Sequence, residues 1–285
     1  MSTESILDLL DRDLSVGTLQ VRLAQTPAEI DAAQALRYRV FYEEHGAKPS
    51  PEALATHRDA DALDDVCDHL LVLDTSLAGD RQVVGTYRLI RRGAAAKNGS
   101  FYSASEYDIS PLIAYPGEIL ELGRSCIEKE YRSGTVMQIL WKGLAAYMFR
   151  YDIKLMFGCA SMHGSDPLEH KIGLSYLYHH HLAPPALRAK ALPELYVKMD
   201  MLPREAFDPE AALNDLDFNN IKLTPKEGQA SLPPLLKGYL RVGGYVGDGA
   251  VLDHQFNTTD VCIIVKTELL TDRYMRHYKK QEERQ

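Results

Sequence analysis

A chain of 285 residues, 45% hydrophobic and 25% charged, has the composition of a soluble globular protein long enough to bury a substantial core. Its formal net charge of -8 argues against bulk nucleic-acid binding, which needs a basic domain. Cys67, Cys126, Cys159 and Cys262 are widely spaced with no metal-ligand pattern, and no stretch reaches the roughly 18 apolar residues of a spanning helix.

The elements follow in chain order. Residues 1–17 are an acidic amphipathic segment without the basic start of a signal peptide. "TLQVRLAQ" (18–25) alternates like a strand. A helix follows, with Thr26 as N-cap, Pro27 at its first position and Gly46 beyond its end. Residues 47–66 read as a polar loop. "HLLVLD" (69–74) and "QVVGTYRLIRR" (82–92) form a hairpin across a Gly-Asp turn, and 93–117 is a Gly/Ser/Tyr-rich connection. "EILELGRSCI" (118–127) is a strand, 135–152 an apolar helix, 153–161 a strand and 167–181 a helix. Residues 182–231 read as irregular, 233–247 as a helical turn and a Gly-rich loop, and 260–270 as the closing strand. The order β-α-β-β-β-α-β-α-β predicts an α/β fold, with one domain over 18–268 and a polar tail over 269–285.

The stretch "ELGRS" is the first place where chemistry enters. Glu121 and Arg124 sit three apart on a strand, so they face opposite ways unless a bulge intervenes, and Gly123 is a residue type that bulges favour. The pair reads either as a site or as a structural ion pair. His179–His181 end a helix, where cationic side chains are favoured, so no metal is expected there. His69 reads as a packing or capping residue, and Tyr87 and Arg88 as sheet residues, although Arg88 could reach a bound acyl donor.

The element order, with a strand, a glycine turn and a helix in succession, resembles the GNAT acyltransferase fold: a mixed central sheet with helices on both faces. "LRYRVFYEEHG" (36–46), Asp61-x-x-Asp64 and "ELGRS" (121–125) resemble the autoinducer-synthase branch, with Gly123 where that branch has serine. "CDHLLV" (67–72), "GTYRL" (85–89), "ELGRSC" (121–126), "WKGLAAYM" (141–148), "FGCASMHGSDP" (157–167) and "PPLLKGYLRVGGYVGDGA" (233–250) together are similar to the bacterial ornithine-lipid acyltransferases. This is the L-ornithine N(alpha)-acyltransferase or hemolysin-like group, and the likeness covers residues 18–268.

That resemblance implies transfer of a 3-hydroxyacyl chain from acyl carrier protein to the α-amino group of L-ornithine, giving lyso-ornithine lipid. It implies no metal and no resident cofactor; the co-substrate enters through its phosphopantetheine arm between strands 118–127 and 153–161. The anion cradle falls on Tyr131, Arg132, Ser133 and Gly134. Only half of the usual GNAT glycine pattern is present there, which suits a carrier-bound pantetheine better than coenzyme A. Glu121 becomes the candidate base, because aminolysis of a thioester needs a neutral amine and burial favours a carboxyl that takes up a proton. Arg124 could pair with Glu121, orient the acidic pair or hold the substrate carboxylate. Asp61, Asp64 and His163 are the candidate amino-acid-binding residues. Acyl carrier protein and ornithine are the expected partners, with a cytoplasmic location and peripheral inner-membrane contact for the amphiphilic product. Lysine, glutamine or S-adenosylmethionine as acceptor, or a non-catalytic lipid- or carrier-binding role, are the alternatives.

Overall fold

Residues 14–132, 134–207 and 223–268 are described by a computed structural model. Among them, in chain order, are the strands β1 (Ser15–Val16), β2 (Leu19–Leu23), β3 (Asp68–Asp74), β4 (Val83–Arg91), β5 (Tyr107–Asp108), β6 (Glu118–Ile127), β7 (Ile153–His163), β8 (Lys190–Ala191), β9 (Tyr245–Asp253) and β10 (Thr258–Lys266). The chain falls into two units, one of residues up to Tyr102 with Pro116–Lys154, the other of Ser103–Tyr115 with the residues from Leu155 onward.

In the first unit the strands run β1-β2-β3-β4-β6, each antiparallel to the next. The continuous apolar run of β3 has a simple cause: both of its faces are covered. Leu71 and Leu73 pack with Ala32, Ala33 and Leu36 of the helix Pro27–Tyr38 and with Val40 just beyond it. The alternate residues Leu70 and Val72 point the other way, toward the helix Thr135–Arg150. There a Cβ on Gly143 would meet Val21 at 2.6 Å and Leu70 at 3.2 Å, and one on Gly85 would meet Val136 at 3.2 Å and Val72 at 3.4 Å. Glycine at these two positions lets helix and sheet approach closely.

The helix Pro27–Tyr38 starts as its sequence predicts, with the Thr26 hydroxyl accepting from Glu29 N at 3.3 Å. It then widens into a π-helical turn over Arg39–Glu44. Arg22 donates to both Glu29 oxygens, at 2.5 and 3.0 Å, and this pulls the Glu29 carboxyl down to about 2. The contribution to stability is present above the ordinary value of 4.5 and is lost as pH falls toward about 2. Glu29→Gln therefore gives a urea midpoint that drops less than the parent's across that window, measured by equilibrium unfolding.

Three stretches differ from expectation. The loop 47–66 contains the short helix Pro51–Thr56, capped by Ser50, and a 3-10 turn Ala62–Asp65 capped by Asp61. The connection 93–117 holds the helices Arg92–Asn98 and Ser110–Ile113, a 3-10 turn Tyr102–Ser105, and β5. The Gly-rich loop is the start of β9, whose glycine at 247 is required by a neighbouring backbone: a Cβ there would lie 2.7 Å from Ala189 O. The polar tail 269–285 lies outside the described residues.

In the second unit β10 sits between β7 and β9, antiparallel to both, β8 runs parallel to β9, and β5 is antiparallel to β8. The helix Lys171–His181 begins later than its pattern suggested. Among the described residues no helix is long and apolar enough to cross a membrane.

Candidate active site

The site is built on a break in strand pairing. β4 and β6 pair Thr86 with Cys126 and Arg88 with Gly123, so β6 spends one more residue than β4 over that interval. The extra residue is taken up beside Arg124, which adopts a left-handed φ of 50°. A regular strand would send Glu121 and Arg124 to opposite faces. Here both reach Tyr102. The Tyr102 amide donates to Glu121 Oε2 at 2.7 Å, and the Arg124 guanidinium carbon lies 5.0 Å from the Tyr102 ring centroid. Glu121 is buried, with 1% of its surface exposed.

Arg124 is one of three arginines that face three aspartates. Arg37, from the helix Pro27–Tyr38, forks onto Asp64 with bonds of 2.9 and 2.6 Å, pairs with Asp59 at 2.9 Å, and donates to the Asp59 carbonyl. Arg88, from β4, pairs with Asp61 at 2.6 Å and with Asp64 at 3.3 Å. Arg124 pairs with Asp59 at 3.2 Å and Asp61 at 3.5 Å. Tyr42 donates to Asp59 and Gln34 to Asp64. Ion pairs this deep are held by geometry: each removed partner leaves a charge that water cannot reach.

Burial by itself would raise the Asp64 carboxyl, but the hydrogen bonds and charge of Arg37, aided by Arg88 and His69, hold it well below the usual carboxylate range. Burial likewise opposes charge on Arg124, yet Asp59, Tyr102 and Asp61 keep its pKa above the ordinary arginine value. The 3-10 turn Ala62–Asp65 sets the acidic spacing, because Asp61 caps it through Leu63 N at 2.9 Å while Asp64 reaches back to Asp61 N at 3.2 Å. Asp64 is thereby enclosed, whereas Asp61 keeps a third of its side chain exposed.

His69 is buried opposite Arg88, its Nε2 3.0 Å from Asp64 O and 3.5 Å from Cys67 Sγ, and burial lowers its pKa. Asp64, Cys67 and His69 could bring ligand atoms within 4.8 Å of one another. The donor set does not suit a cation. Asp64 is already occupied by guanidinium groups, and burial pushes the Cys67 thiol up to about 12, where it stays protonated.

The other sequence-derived residues lie elsewhere. Tyr131 donates to Asp74 at 2.7 Å, and Arg132 forks onto Glu44 at 2.6 and 2.6 Å while donating to Ile127 O at 3.0 Å. Those side chains fasten the turn to its surroundings. Gly134, at a φ of 93°, opens the helix Thr135–Arg150 with no side-chain cap. Ser133 lies outside the described residues. His163 belongs to the second unit, exposed at the end of β7.

Asp59 and Tyr102 were not singled out from the sequence, and Arg37 entered only as the arginine of an Arg-x-x-Val-Phe likeness, with no role assigned. Arg37 had a usable signal, an arginine on the buried stripe between Ala33 and Val40. Arg88 had another, as the one charge inside "VVGTYRLI", a run buried throughout. Tyr102 had none.

Residues 36–142 match the family model described as acetyltransferase (GNAT) domain. The L-ornithine N(alpha)-acyltransferase of Agrobacterium fabrum is 47% identical, across 94% of this chain and 88% of its own length. The chain belongs to the L-ornithine N(alpha)-acyltransferase family. It is an N-acyltransferase of the GNAT fold, with a mixed sheet flanked by helices. The Rhodobacter capsulatus member is 39% identical over 91% of this chain and 94% of its own. Among solved structures, a CoA-dependent acyl-homoserine lactone synthase shares 14% identity and a TM-score of 0.43 over 87% of this chain and 81% of its own.

Proposed function

We propose that this enzyme moves a 3-hydroxyacyl group from acyl carrier protein onto the α-nitrogen of L-ornithine, giving lyso-ornithine lipid. The observation that carries the reading is the buried Glu121 carboxylate, held by the Tyr102 amide on the same bulged strand whose Arg124 pairs with the partly exposed Asp61. Relatives named for ornithine acylation at 39–47% identity support the acceptor.

The charge balance favours a cation. Three guanidinium groups offset Asp59, Asp61 and Asp64, so an ionised Glu121 leaves one net negative charge in the cluster. Ornithine carries two ammonium groups and one carboxylate, and it arrives with the complementary sign. Asp61 is the carboxylate placed to receive an ammonium; Asp64 serves as the fixed counter-ion of Arg37 and Arg88. Arg88 Nε is buried without a hydrogen-bond partner, beside Gly123, and it offers a donor to the substrate carboxylate.

The reaction then follows. Glu121 takes a proton from the α-ammonium. The freed nitrogen attacks the thioester carbonyl carbon, the C–N bond forms, the C–S bond breaks, and the second nitrogen proton goes to the leaving sulfur. The uncapped start of the helix Thr135–Arg150 presents backbone N–H groups, which favour the phosphate of a pantetheine arm. Arg132 then shapes that turn through Glu44 instead of touching phosphate. The amphiphilic product fits peripheral contact with the inner membrane face.

The test uses the full chain with one 3-hydroxyacyl group presented on acyl carrier protein or on coenzyme A, each against ornithine, lysine, glutamine and S-adenosylmethionine. Products are read by mass spectrometry. The carrier-protein donor with ornithine is expected to give the highest kcat/KM. A coenzyme A preference overturns the donor, another dominant amine overturns the acceptor, and no product with any amine overturns the reaction.

A further inference from the structure

We propose that Tyr102 is a positioning residue that sets the relative placement of Glu121, Arg124 and Arg88. The proposal rests on the reading of Glu121 as the base and adds a residue outside the charged cluster itself.

One residue meets three groups of the site, and its side chain also hydrogen-bonds Arg124. Its amide nitrogen donates to Glu121 Oε2 at 2.7 Å, which stops rotation of that carboxyl group. Its ring centroid lies 5.0 Å from the guanidinium carbon of Arg124 and 5.9 Å from that of Arg88. Two like charges converging on the same aspartate, Asp61, repel each other, and an aromatic face attracts both. The ring therefore offsets a cost that the ion pairs alone leave in place.

The loop is built to hold Tyr102 there. The helix Arg92–Asn98 is stopped by Gly99 at a φ of 93°, and Phe101, only 6% exposed, anchors the next residues in the core. Tyr102 then opens the 3-10 turn Tyr102–Ser105 with its side chain partly exposed. An anchor on one side and a turn on the other fix the amide and the ring together. Because the ring is not part of the packed core, its removal costs little folding stability, and its effect falls on the site.

The two roles separate by substitution. Tyr102→Phe keeps the ring and the amide and loses only the side-chain hydrogen bond to Arg124, while Tyr102→Leu keeps only the amide. Displacing reacting groups by about 1 Å can cost about 10²-fold in rate, so Tyr102→Leu is expected to lower kcat by about that factor with KM for ornithine within about threefold. Tyr102→Phe is expected to restore kcat to within about fivefold of the parent. A second readout does not depend on turnover: the guanidinium Nε–H resonances of Arg88 and Arg124, assigned with Arg124→Lys. They should carry an aromatic ring-current shift in the parent and in Tyr102→Phe and lose it in Tyr102→Leu. Tyr102→Met serves as the ring-less variant if Tyr102→Leu does not fold. Equal losses in the Phe and Leu variants, a Leu variant within twofold of the parent, or arginine resonances that do not move would each overturn the proposal. If the parent fails to acylate ornithine, the reaction assigned above is wrong, and the resonance shifts still decide the placement.

Discussion

Glu121→Gln is expected to lower kcat by about 10²–10⁴-fold, the range over which a positioned base contributes. The substitution is nearly isosteric, and the amide oxygen of Gln can still accept from the Tyr102 amide, so the loop and the bulge stay in place. What disappears is the capacity to take a proton from the incoming ammonium. KM for the acyl donor should stay near the parent value, because Glu121 meets the nucleophile and not the thioester tether. KM for ornithine should rise modestly with the loss of one negative charge. Steady-state kinetics on both substrates, with thermal unfolding of the same samples, separate this from a folding defect. A Gln variant at parental kcat would reassign Glu121 as a structural counter-ion.

Arg37→Met should produce the largest loss of stability, about 3–5 kcal/mol, because it leaves buried carboxylates without their partner. Arg37 is 1% exposed and meets both Asp59 and Asp64, which are themselves buried. Methionine fills much of the volume, so the loss reports the charge. Asp64→Asn in the same chain recovers part of it, while Asp59 keeps only Arg124 and Tyr42 as partners. The pH dependence has a definite sign. The folded Asp64 carboxyl is depressed, so its contribution is present above its ordinary value of 3.8 and is lost as pH falls below that value. Arg37→Met removes this contribution and flattens the acid side of the stability curve. Urea unfolding at a series of pH values measures both effects; a loss under about 1 kcal/mol would show that the pairs add little beyond offsetting their own desolvation.

Much of the fold was legible because local rules and packing agree. The apolar run of β3 is buried on both faces, the helix Pro27–Tyr38 carries its cap and its proline, and β6 occupies the expected residues 118–127. The bulge was legible too, as a question: a glycine between a carboxylate and a guanidinium that share a strand. The acidic run around Asp61 was harder, since Asp59 and Asp64 look like a solvated loop. They are buried because arginines from a helix, β4 and β6 converge on them: Arg37 from 22 and 27 residues before, Arg88 from 24 residues after Asp64, and Arg124 by pairing with Asp59. Nothing local encodes that convergence. Tyr102 was invisible for the same reason, in a connection whose composition suggested only a link. The glycines of β9 misled in the opposite direction: they signalled a loop, whereas Gly247 allows the close approach of the Ala189 backbone just before β8.

The most direct measurement uses ornithine labelled with ¹⁵N only at the α position, incubated with the enzyme and 3-hydroxyacyl carrier protein, with the product analysed by tandem mass spectrometry. The label is expected in the new amide, with the unlabelled δ-amine remaining free. Label in a free amine, with the acyl chain on the δ-nitrogen, would contradict transfer to the α-nitrogen.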